Sequence, residues 1–268
     1  MGESRYDAAI EEISIPFEGS RMPGLIYTAS GAGPHPTVVL LHGIPGNEKN
    51  LDIAQAIRRD GFNVLFFHYR GAWGAEGDYA ISQLVDDVGA ALAFLRQADN
   101  AKQYRVDTEH LSVLGHSLGG WAALAAGHED SGLVCVGAMA PANVGEWKLS
   151  FEKNDATARR LTQYADSLYM LNGFDGAAMR RQLESASLVS LDAREYGRGL
   201  QGKSVFMIVG DRDDVTTEER MFTPVVKAYE QVADLPLEHH VITGDHSFSW
   251  SRLELIQRVL NWLNRDCR

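Results

Sequence analysis

Reactive chemistry concentrates in the pentapeptide Gly115-His116-Ser117-Leu118-Gly119. A serine hydroxyl is a weak nucleophile until a base takes its proton and an acid orients that base. The apolar run LSVL precedes the pentapeptide and LGGWAALAAG follows it, a pattern that predicts strand, tight turn and helix with Ser117 on the turn. Such a turn holds the serine at unfavourable backbone angles so that its Oγ projects. The residues two positions either side must then lack bulk, which explains Gly115 and Gly119. The helix that follows directs free N–H groups at developing negative charge. An incidental serine in a glycine-rich turn is the bland alternative, and the flanking strand and helix weigh against it.

His246 is the favoured base, because it alone of the histidines lies in a loop after the last strand, in Thr243-Gly244-Asp245-His246-Ser247. His239 and His240 fall within that strand and read as structural. His42 and His116 read as making local hydrogen bonds. Candidate acids are Asp211, Asp213 and Asp214, which follow the strand Val205–Val209, and spacing alone does not choose among them. The order serine, acid, base places all three groups at strand ends, where loops can converge. His42-Gly43-Ile44-Pro45-Gly46 directly follows another strand. An oxyanion hole needs two backbone N–H donors aimed at one point. The candidates are Leu118, next to the nucleophile, and Ile44, since Pro45 has no N–H.

The elements that must position these groups alternate along the chain. Strands are expected at about Ile10–Phe17, Leu25–Ala29, Thr37–Leu41, Asn63–Phe67, Leu111–Leu114, Leu133–Met139, Ser204–Val209 and Glu238–Ile242. Helical periodicity falls at Leu51–Arg59, Ile81–Arg96, Leu118–Gly127, Glu218–Val232 and Ser249–Asn264. This rhythm predicts a doubly wound, mostly parallel eight-stranded α/β sheet with an antiparallel start. Residues 142–203 break it. They hold no convincing strand, show helical patterns at Thr157–Met170 and Gly176–Ser185, and are near-neutral, with nine basic and eight acidic residues. We read one domain over 1–268, with 142–203 inserted as a helical lid.

HGIPG, GHSLGG, VGDRDD and GDHSF, in this order, resemble the α/β-hydrolase superfamily, from about Ile10 to Leu263. The likeness is greatest to esterases and prolyl-oligopeptidase-type catalytic domains. It implies a serine hydrolase with a catalytic triad, a nucleophile elbow at Ser117, and Asp213 as the acid, through the G-x-x-D spacing after the strand. His68-Tyr69-Arg70-Gly71 with Trp73 resembles a family loop that borders the active site, which makes Arg70 a candidate substrate-binding residue. Trp73, Trp121, Trp147 and Phe248 are aromatic candidates for a pocket, weighed against core roles. The chain departs from the peptidases in lacking a propeller domain, and from HGGG esterases in having Ile and Pro mid-loop. A carboxylic ester is the first expected substrate. Peptidase or amidase action, a thioester and a carbon–carbon bond are alternatives, and a non-enzymatic ligand-binding protein on the same fold is the alternative from another class.

Composition bounds the rest. The 268 residues carry 25 Lys and Arg against 36 Asp and Glu, a formal charge of −11, which disfavours nucleic acid and anionic membrane as partners. No apolar run approaches the length of a membrane span, and the first residues do not read as a signal peptide. A small-molecule acyl substrate, no cofactor, no metal and a cytoplasmic location are therefore expected. The oligomeric state is open, a homodimer being one option. Cys135 is expected as a small buried hydrophobe and Cys267 as exposed, with no disulfide framework.

Overall fold

The computed structural model describes residues 6–268. The strands are β1 (Ala9–Phe17), β2 (Ser20–Thr28), β3 (His35–Leu41), β4 (Asn63–Phe67), β5 (Val106–His116), β6 (Leu133–Met139), β7 (Ser204–Gly210) and β8 (Leu237–Ile242). They form one sheet in the order β1-β2-β4-β3-β5-β6-β7-β8. β1 pairs antiparallel with β2 and β2 with β4, and every later pairing is parallel. The antiparallel start follows from the two-residue connection between β1 and β2, too short for the crossover that parallel strands need.

The central strands carry nearly continuous apolar runs because both faces are covered. Val39 and Leu41 of β3 face one core with Val113 of β5, while Val38 and Leu40 face the other with Leu114. The first core receives α2 (Leu84–Arg96) and α4 (Leu118–Glu129), the second α1 (Leu51–Arg59) and α10 (Arg252–Asp266). α3 (Ala98–Tyr104) leads into β5 and α9 (Thr223–Tyr229) follows a π-helical turn, Glu218–Phe222. β1 and β8 are the edge strands, and the burial of β8 alternates.

β5 starts five residues earlier than its apolar run. Buried Val106 and the polar residues Asp107–His110 lengthen it, and His110 Nδ1 meets Asp107 at 2.8 Å. Between β6 and β7 lie α5 (Val144–Lys153), α6 (Ala156–Ala165), α7 (Gly176–Ser185), α8 (Leu188–Leu191) and a 3₁₀ helix, Ala193–Leu200. Their starts are capped by side chains: Asn143 accepts from Gly145 N–H, Asp155 from Thr157 and Ala158, and Asp175 from Ala178.

Cys135 is buried as expected, but the expectations of an exposed Cys267 and of no disulfide are corrected. Cys135 on β6 and Cys267 after α10 are both fully buried and joined by a disulfide. α10 packs along the second core, so its last turn returns the near-terminal cysteine to the centre of the sheet. Such bonds persist in oxidising surroundings and are rare in the cytosol, so this pair is where the cytoplasmic expectation is open to test. No helix among the described residues is long and apolar enough to cross a membrane.

Candidate active site

Ser117 stands between β5 and α4 with φ 58° and ψ −122°, a backbone conformation that non-glycine residues rarely adopt. The close packing around it explains its glycine neighbours. A Cβ on Gly115 would lie 1.9 Å from the Gly119 carbonyl oxygen, and one on Gly119 would lie 2.5 Å from the Leu41 and His42 carbonyl oxygens. α4 can thus press directly against β3 and β5, and Leu118 to Gly127 are buried all round.

β7 and β8 bring the other two groups to the same end of the sheet. Ser117 Oγ lies 3.0 Å from His246 Nε2, and His246 Nδ1 lies 2.8 Å from Asp213 Oδ2. The aspartates that spacing left level now differ. Asp211 accepts from Gly244 N–H and so braces the histidine loop, and only Asp213 reaches His246. The Asp213 side chain is buried, which pushes its carboxyl up. The hydrogen bond and charge of His246 and the bonds from Thr216 outweigh burial and hold it below the usual carboxylate range. A chain of this kind can draw the hydroxyl proton onto the imidazole and stabilise the resulting cation.

Two residues whose roles the sequence did not show complete this arrangement. Thr216 donates its N–H to Asp213 Oδ1, and its hydroxyl lies 2.8 Å from Asp213 Oδ2, 2.9 Å from the Ala140 carbonyl oxygen and 3.2 Å from His246 Nδ1. His116, beside the serine, donates from Nε2 to the His246 carbonyl at 2.8 Å. Burial and the nearby His246 push its pKa down to about 3, so it is a neutral donor near pH 7.

The His42–Gly46 loop lies against the serine: a Cβ on Gly43 would sit 2.8 Å from Ser117 Cβ. Among the described residues no acceptor meets the Ile44 N–H. Leu118 is the first residue of α4, whose opening N–H groups have no acceptor inside the helix. Both N–H groups are therefore available to an incoming oxygen.

The substrate-binding candidates are dispersed. Arg70 is buried in ion pairs with Asp87 and Glu18, both at 2.5 Å, and lies over Phe17. Phe248 is fully enclosed in the second core, and Trp147 and Trp121 are buried in the first. Trp73 is half-buried and donates its indole N–H to the Pro45 carbonyl at 2.6 Å, which places it beside the loop next to the serine.

The alpha/beta hydrolase family profile matches residues 38–257. The chain belongs to the alpha/beta hydrolase family. Over 123 residues it is 30% identical to esterase EstD of Thermotoga maritima, a match spanning 41% of this chain and 28% of that protein. Among solved structures it resembles the Pyrococcus furiosus esterase Pf2001, with TM-score 0.70, 18% identity, and 98% and 94% of the two chains covered. It also resembles Est1E from Butyrivibrio proteoclasticus, with TM-score 0.71, 15% identity, and 94% and 97% covered. At these identities the two structures speak for the fold of this hydrolase-family chain.

Proposed function

We propose that this hydrolase-family chain is a serine carboxylesterase acting through an acyl-enzyme. The observation that carries the reading is the continuous path from Ser117 Oγ through His246 to Asp213, at 3.0 and 2.8 Å. Ser117 attacks the acyl carbonyl while His246 Nε2 accepts its proton and Asp213 steadies the imidazolium. The carbonyl oxygen, now an anion, accepts from the N–H groups of Ile44 and Leu118. His246 returns the proton to the departing alcohol, and water, activated by the same imidazole, releases the carboxylic acid and restores the serine. The helices between β6 and β7 act as a cap over this centre, and Trp73 forms one wall of the acyl site. No step needs a cofactor, and the partner is a small acyl substrate. The esterase names of EstD and Pf2001 support an ester over an amide.

The test is a panel of p-nitrophenyl esters of increasing chain length beside aminoacyl-p-nitroanilides, run on the wild type and Ser117→Ala. Ester turnover and fluorophosphonate labelling are expected for the wild type and neither for Ser117→Ala. Anilide turnover exceeding ester turnover would move the assignment to a peptidase, and labelling that survives Ser117→Ala would remove the nucleophile.

A further inference from the structure

The loop expected to supply the Ile44 N–H is held from its carbonyl side. His42 Nδ1 lies 2.7 Å from the Gly43 carbonyl oxygen, the Tyr164 hydroxyl 3.2 Å from that of Ile44, and the Trp73 indole N–H 2.6 Å from that of Pro45. The three donors come from three places: the end of β3, helix α6, and the loop after β4. Gly43 and Ile44 share one peptide plane, so an anchor on the Gly43 oxygen aims the Ile44 N–H on the opposite edge. The anchor on the Ile44 oxygen fixes the next plane, and the two together set both dihedral angles at Ile44.

We propose that His42, Tyr164 and Trp73 form a carbonyl clamp that positions the oxyanion hole, which makes the α6 helix part of the catalytic apparatus as well as a cover. The proposal rests on the serine esterase reading above. His42 is suited to the task. It is buried, its ring lies 4.6 Å from that of Tyr69, and the Tyr69 hydroxyl donates to its carbonyl at 3.2 Å. His68 Nδ1 lies 3.3 Å from His42 Nε2, so a proton on His68 leaves His42 protonated at Nδ1, the atom that faces Gly43. Burial lowers the His42 pKa to about 4, which keeps the ring neutral near pH 7. Gly46 is glycine for the same reason, since a Cβ there would lie 2.4 Å from His42 Nδ1. Tyr164 is tied to the cap while its hydroxyl reaches into the loop. The cap in turn is stitched to the Trp73 segment, through Trp73 N–H to Met170 at 3.0 Å and Asn172 N–H to Gly71 at 2.7 Å.

Tyr164→Phe deletes only a hydroxyl on a partly exposed side chain. With a p-nitrophenyl ester, kcat is expected to fall about tenfold with KM within twofold, because the hole is needed more in the transition state than in the ground state. The acid limb of the kcat/KM profile should stay in place, since the triad is untouched. His42→Asn, whose side-chain amide can donate from near the Nδ1 position, should retain at least tenfold more kcat than His42→Gln. The proposal is overturned if Tyr164→Phe leaves kcat unchanged, if its loss falls on KM alone, if the acid limb moves, or if folded His42→Asn and His42→Gln are equally impaired. Ser117→Ala, measured alongside, separates the two claims. If it is inactive while the clamp variants behave as wild type, only the clamp fails; if it stays active, the esterase mechanism itself fails.

Discussion

The Thr216 hydroxyl has one proton and two acceptors within reach, the Ala140 carbonyl and Asp213 Oδ2. Asp213 also accepts the N–H groups of Val215 and Thr216 on Oδ1, so both oxygens are fixed before His246 arrives. Replacing the acid should therefore be costly: Asp213→Asn is expected to lower kcat by about 10³–10⁴-fold, through the wrong imidazole tautomer, with the protein still folded. Asp211→Asn and Asp214→Asn should each fall less than tenfold, and a steady-state comparison of the three on one ester checks the ranking. The serine, the histidine and the loop at Ile44 were legible in the chain because each follows a strand at a spacing that chemistry requires. The choice of Asp213 came from family resemblance. His116 was not legible as a partner of the Ser117–His246–Asp213 path, because its contact is to His246, 130 residues away. Thr216 lies only three residues from Asp213, but its bridge from that carboxylate to the Ala140 carbonyl spans 76 residues and leaves no local pattern. The aromatic and arginine candidates were legible only as residue types. Nothing in the sequence showed that Arg70 meets Asp87, or that Phe248 turns into the core.

At the scale of elements, the turn from β5 to α4 depends on the absence of side chains. Gly115→Ala would set a methyl 1.9 Å from the Gly119 carbonyl, a backbone atom that cannot move without shifting α4. The expected result is loss of ester turnover of at least a hundredfold with a lowered thermal midpoint, whereas Gly89→Ala, inside α2 where the added Cβ meets nothing, should leave turnover unchanged and the midpoint equal or slightly raised. The strands and the helices beside the sheet were readable because their apolar periods report the two cores that bury them. The 142–203 region was readable as helical but not in its parts. α5 and the 3₁₀ helix are joined through buried Asn143, which donates to Asp192 at 2.8 Å and accepts the Ala193 N–H at 3.0 Å. That contact spans 49 residues and leaves no local pattern. The antiparallel bridge between Ala72 and Leu171 is hidden for the same reason, although it ties the helical 142–203 region to the loop after β4.

Across the whole molecule, buried neutral histidines set the response to acid. His42 and His116 ordinarily protonate near 6.5, and burial lowers them to about 4 and about 3 in the folded chain. Between those limits the unfolded chain binds more protons, so stability falls as the pH drops below 6.5. At pH 5 each ring weakens the fold by ~2 kcal/mol relative to pH 7. Denaturant titrations at pH 7 and pH 5 should show a clearly lower midpoint at pH 5, and equal midpoints would contradict the buried neutral state. The Cys135–Cys267 bond acts on the unfolded chain instead. Closing a loop this long stabilises by about 2–5 kcal/mol. Cys267→Ala, or reduction of the wild type, should lower the thermal midpoint by several degrees and leave the initial ester rate at 25 °C within twofold.

The bond between Cys135 and Cys267 also makes the latter half of the chain a covalent ring. Asp213, His246 and helices α5–α8 between β6 and β7 lie inside that ring, while Ser117 and the His42–Gly46 loop lie on the strand of chain that enters it. A single cut anywhere from 136 to 266 would thus open the ring without releasing a fragment. The oxidised protein can be nicked among the helices between β6 and β7 and still travel as one molecule, whereas the reduced protein would come apart into two pieces held only by packing.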